Sequence, residues 1–81
     1  MIEPGEYAPG TVALYERLAR RYEAWCAVGR RAPYPALEDV VVSWILHEWP
    51  RPALGTVQPA MGAIRWACRL RGLPAPLLHP R

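Results

Sequence analysis

The chain has 81 residues and a formal net charge of +3, which admits one domain and no more. It holds no run of about 18 apolar residues that would span a membrane. Its first ten residues, MIEPGEYAPG, lack the basic and apolar regions of a signal peptide.

A chain of this size buries only about 60 % of its unfolded surface, so its core must be dense. Four Trp, four Tyr and many Leu, Val and Ala supply the material. Cys26 and Cys68 are too few for a secreted disulfide framework. They read as buried free thiols of a cytoplasmic protein. There is no lysine, so every cationic side chain is Arg. Residues 1–48 carry five Arg against seven acids, whereas residues 49–81 carry five Arg and no acid. A basic half on a near-neutral domain points to a polyanion, nucleic acid before membrane.

Along the chain, residues 1–10 hold two Pro and two Gly and read as an extended arm. Thr11 is the expected N-cap of a first helix reaching Val28. Leu14, Leu18, Tyr22 and Trp25 recur on one face at helical spacing, with Tyr15 and Cys26 beside them. Glu16, Arg20 and Glu23 lie opposite as a solvated face with i, i+4 pairing. Arg17 and Arg21 sit one turn apart on the border between the faces, with no acid on that border. Gly29 is the expected C-terminal stop.

The stretch RRAPYPALEDV is a loop, and a second helix follows from about Leu37 to Trp49. Glu38 and Asp39 fall in its first turn, where the helix dipole favours anions. VVVSWIL has strand propensity as well, but a lone strand would find no partner in this chain. The segment is apolar nearly all round, which implies deep burial or a surface left for another domain or subunit. Pro50 and Pro52 end it.

The third helix is expected from Gly55 or Thr56 to Arg71, with Thr56 as N-cap and Pro59 in the first turn, where a missing N–H costs little. Gly72, Pro74 and Pro76 stop it. At about 100° per residue its side chains fall into three sectors. Val57, Met61, Ile64 and Cys68 form a core face. Gln58, Gly62, Arg65 and Arg69 form a second face, where Gly62 leaves room for a backbone or a phosphate. Pro59, Ala63, Trp66 and Leu70 form an apolar third, set either against helix one or toward a partner. Gln and Arg make bidentate contacts to adenine and guanine edges, and Arg grips phosphate as a fork. Thr11 and Thr56, at helix N-termini, offer a hydroxyl and backbone N–H groups to phosphate. The whole is all-α, a small orthogonal bundle of three main helices.

Three stretches together resemble a known family: TVALYxxxxxxYxxWC, then YPALEDV, then GTVxxxMGAIRWACRLRGLPAP. Their order and spacing are similar to the core-binding domain of tyrosine recombinases, the phage-integrase group that includes Cre recombinase. The likeness covers about residues 11–76. It implies a SAM-like integrase N-terminal domain that grips duplex DNA at a recombination half-site. Residues 77–81 are then a tail or linker toward a catalytic domain that this sequence does not include. The resemblance implies major-groove contact by the N-terminal turns of helices one and three. Carried over, the positions are Thr11, Leu14 and Arg17, then Gly55, Thr56, Gln58 and Pro59. Leu14, Gly55 and Pro59 have no hydrogen-bonding side chain, which shifts base reading toward Arg17, Arg65 and Arg69. Cys68 stands where many members have His, and the usual preceding helix is replaced by MIEPGEYAPG.

The expected DNA-binding set is thus Thr11, Arg17, Arg21, Thr56, Gln58, Arg65 and Arg69. The expected partners are double-stranded DNA, the catalytic domain of the same recombinase and neighbouring protomers, without membrane. No enzymatic activity, metal or cofactor is expected of this chain. His47 and His79 are isolated, Ser43 is the sole serine, and the cysteines and histidines lack the close paired spacing of zinc sites. The alternative is a small helical protein–protein interaction module that uses the apolar outer sides of helices two and three and binds no nucleic acid.

Overall fold

The computed structural model describes residues 8–76. The expectations for residues 1–7 and 77–81, His79 among them, lie outside the described residues. Within them the chain forms three α-helices and no strand: α1 Pro9–Val28, α2 Glu38–Glu48 and α3 Leu54–Leu70. The all-helical fold read from the sequence is the fold observed. No helix among the described residues is long and apolar enough to cross a membrane.

Both expected N-caps are corrected. The N-cap of α1 is Ala8, with Pro9 inside the first turn, so residues 9 and 10 belong to the helix. The proline ring presets φ near the helical value and its missing N–H is not needed there, so the helix starts before Thr11. The N-cap of α3 is Ala53, extended at φ −105° and ψ 161°. The N–H groups of Thr56 and Val57 both donate to the Ala53 carbonyl, at 2.9 Å, and Thr56 is the third residue of the helix.

At the opposite ends, α1 and α3 close in the same way. Leu73 N–H donates to Cys68 O (2.9 Å) and Gly72 N–H to Arg69 O (3.1 Å), with Gly72 at φ 67°. Arg31 N–H donates to Cys26 O (2.8 Å) and Arg30 N–H to Ala27 O (3.0 Å). These are paired Schellman bonds. In α1, however, the left-handed residue is Arg30 (φ 56°) and not Gly29, which keeps φ −84°.

Helices α1 and α3 run in the same direction. Thr11 and Leu14 share a cleft with Gly55, Gln58 and Pro59. Tyr15 lies against Gly62 and Trp66, and Glu23 meets Arg71. Helix α1 packs extensively on α3 and only lightly on α2. The short side chains of Ala19, Ala60, Ala63 and Ala67, all buried, suit a close helix contact. Trp44 and Tyr22, fully buried and edge-on at 5.4 Å, fill the wider space below α2. The core is completed by Ile64, Val41 and both cysteines. Burial raises the thiol pKa of Cys26 and Cys68, as expected for free thiols in an apolar interior. The indole N–H of Trp44 is buried without an acceptor among the described residues.

The loop between α1 and α2 is tied down by tyrosines. Tyr22 donates its hydroxyl to Pro33 O (2.8 Å) and Tyr34 donates to Glu23 Oε2 (2.7 Å). Arg71 reaches the same Glu23 oxygen at 3.3 Å and lies 4.1 Å from the Tyr34 ring centre. Glu23 is therefore a junction of α1, the loop and the end of α3, where the sequence pattern had placed it on a solvated face. A carboxylate within reach of a phenol and a guanidinium gains two charge-assisted hydrogen bonds.

Candidate nucleic-acid interface

Because α1 and α3 are parallel, their N-terminal turns lie at one end of the bundle. Neither first turn contains an acidic residue, and neither N-cap makes a side-chain bond to its helix. Each helix N-terminus carries unsatisfied N–H groups and about half a positive charge. Between the two turns lies a shallow cleft of about 360 Å³ lined by Thr11, Leu14, Tyr15, Gly55, Gln58 and Pro59. The fold thus gathers five of the seven positions named by the family resemblance. Their chemistry is mixed. Gln58 is exposed and has both a donor and an acceptor, Thr11 adds a hydroxyl, and Leu14 and Pro59 are half-buried and apolar.

The other expected residues divide. Gln58, Arg65 and Arg69 form one exposed stripe along α3, about 16 Å long at 1.5 Å per residue. Neither Arg65 nor Arg69 is paired with a carboxylate among the described residues. Thr56 is half-buried and does not line the cleft. Arg17 is exposed but opens onto a separate trough with Ala13, Glu16 and Arg20. Arg21 is a correction. Glu48 of α2 forms an ion pair with it, and its guanidinium lies 5.9 Å from the Trp49 ring centre. The pair engages one guanidinium nitrogen of a side chain that stays 56 % exposed, so a phosphate would share Arg21 with Glu48.

Gly62 is a second correction. A Cβ there would come 2.5 Å from the Tyr15 hydroxyl and 2.9 Å from its ring carbon. The gap therefore accepts Tyr15 from α1 and is not left for a phosphate. The Tyr15 and Trp66 rings lie 6.3 Å apart, so the sector of Pro59, Ala63 and Trp66 faces α1. Only Leu70, 63 % exposed, remains outside. Tyr15 was missing from the expected contact set, although a glycine in mid-helix was a signal that something approaches closely.

Compared with protein-family models, with curated proteins and with solved structures, the chain finds no match in any of the three.

Proposed function

We propose that the protein binds double-stranded DNA through the shared N-terminal end of α1 and α3, as the core-binding domain of a tyrosine recombinase grips a half-site. The observation that carries this reading is the meeting of two acid-free helix N-termini over one cleft lined by Thr11 and Gln58. Phosphate is favoured at such ends. Arg65 and Arg69 extend the cationic surface along α3, and exposed Gln58 supplies the donor and acceptor for a base edge. Thr11 and the backbone of Gly55 are assigned to phosphate, and Arg17 to a flanking phosphate.

The test is the salt dependence of duplex binding. Neutralising about four phosphates gives a log–log slope near −3.6. Removing both guanidinium groups in Arg65→Ala with Arg69→Ala makes that slope shallower by about 1.8. An unchanged slope overturns the assignment of the stripe.

A second reading has its own support. Val42 and Leu46 stand one turn apart on the outer side of α2, 38 % and 50 % exposed, which suits a helical module that docks on a protein partner. Such an association would be nearly insensitive to salt.

A further inference from the structure

We propose that the cleft between the second half of α1 and the end of α2 docks a protein partner through an acidic segment in which a carboxylate stands next to a bulky apolar side chain. The cleft measures about 510 Å³, within the range of about 300–1,000 Å³ typical of ligand sites. Its floor belongs to α1. Trp25 is half-buried, packs against the core and also lines the cleft. Val28, one turn further on, is 86 % exposed, the highest value of any large apolar side chain among the described residues. His47 and Glu48 of α2 form the facing wall, with the His47 and Trp25 ring centres 6.0 Å apart. An aromatic floor beside an exposed aliphatic side chain suits an apolar anchor from a partner.

Charge selects the sign of the occupant. Arg21, Arg31 and Glu48 are the charged groups of the lining. Glu48 is engaged by Arg21. Arg31 is exposed and meets no carboxylate among the described residues. Its guanidinium carbon lies 5.9 Å from the Trp25 ring centre, so the planar fork is held beside the apolar floor. A guanidinium of this kind receives a carboxylate through two parallel N–H bonds. A partner carboxylate on Arg31 therefore brings the neighbouring side chain over Trp25 and Val28.

The same features favour a protein over a nucleic acid. Val28 lies about 25 Å along α1 from Thr11, at the opposite end of the helix from the cleft assigned to duplex. Phosphates gain nothing from the apolar floor, and Glu48 opposes a chain of them, whereas a single carboxylate needs only Arg31. The docking does not rest on the nucleic-acid reading.

The test is a selection of phage-displayed random heptapeptides against the whole chain. The enriched peptides should share an Asp or Glu beside Leu, Ile, Met or Phe. The strongest of them, made synthetically, should shift the Trp25 indole N–H and the Val28 methyl signals and leave Gln58 and Trp66 in place. Arg31→Glu should weaken its binding about fivefold or more, and Val28→Gln about threefold. Both positions are exposed, and helicity by circular dichroism checks that the fold is kept. Changing the peptide's acid to its amide should cost about as much as Arg31→Glu on the parent chain, and less than about twofold on the Arg31→Glu variant, because the pair is then already broken. Enrichment of basic or uncharged peptides, or of none, overturns the proposal. So does an enriched peptide that moves Thr11 and Gln58, or Val42 and Leu46, in place of Trp25 and Val28. A duplex that shifts Trp25 and Val28 as strongly, or equal shifts on raising the concentration of the chain alone, also overturns it, since the occupant is then nucleic acid or a second copy. A chain that binds the peptide but no duplex upholds this proposal and removes the nucleic-acid reading.

Discussion

The two ends of the α1–α3 pair are built differently. At the C-terminal end both helices finish in Schellman bonds, Glu23 joins Tyr34 and Arg71, and Tyr22 holds the loop through Pro33. At the N-terminal end neither N-cap side chain bonds to its helix, no acid lies in either first turn among the described residues, and a cleft separates the turns. At the closed end Glu23, Tyr34 and Arg71 satisfy one another, while Arg69 stays exposed. The open end is where an anion gains most from the helix dipoles. Side-chain tethering is concentrated at the closed end, and exposed helix donors at the open one.

The largest way to break the contrast is alkali, which attacks the closed end. Burial, together with the Glu23 carboxylate, holds the Tyr34 hydroxyl neutral well above its ordinary range. Burial, with nearby Cys26, does the same for Tyr22, and burial raises Cys26 and Cys68. In each case the folded pKa lies above the unfolded one. The stabilising effect is therefore complete below the ordinary thiol and phenol values of about 9 and 10, and is lost as pH rises beyond them. The melting temperature should be flat near neutrality and fall steeply above pH about 9, and a constant value to pH about 11 would contradict these burials.

Next in size is Gly62→Leu, which forces a side chain into the space held by Tyr15. Overpacking of this kind destabilises by about 1–3 kcal/mol, measurable by urea denaturation. Because it also moves α1 relative to α3, duplex affinity should fall more than the folded fraction does. Arg65→Ala with Arg69→Ala should do the reverse. Stability stays within about 0.5 kcal/mol of the parent, while duplex affinity falls roughly tenfold at moderate salt.

Two smaller changes sharpen the contrast. Ala53→Asp supplies the missing cap of α3 and should stabilise by about 0.5–1 kcal/mol. It also places an anion at the open end and should weaken duplex binding, so the two measurements move in opposite directions. Arg30→Gly relieves the left-handed residue at the end of α1. The gain is about 0.5–1 kcal/mol after allowing for the greater entropy of unfolded glycine, with no change in binding.

The helices were readable because their signals are local. Leu14, Leu18 and Tyr22, then Val57, Met61, Ile64 and Cys68, announce buried faces by spacing alone, and all of them join or pack against the core. Their starts were misread because Thr11 and Thr56 are good caps in general, while Pro9 and the extended Ala53 set the boundaries here. The candidate site was half readable. Exposure of Gln58, Arg65 and Arg69 follows from periodicity on one helix. The engagement of Arg21 by Glu48, the role of Glu23 and the filling of Gly62 by Tyr15 do not, since each joins two elements.

The sequence by itself determined three helices, a dense aromatic and aliphatic core and a second half whose side-chain charges are all cationic. Periodicity, composition and charge are properties of the chain in any arrangement. Only the tertiary structure decided that α1 and α3 lie parallel with their N-termini together, which arginines meet carboxylates and which remain exposed. Those outcomes depend on residues as distant in sequence as Glu23 and Arg71, whose meeting is fixed by packing in three dimensions and leaves no periodic trace along the chain.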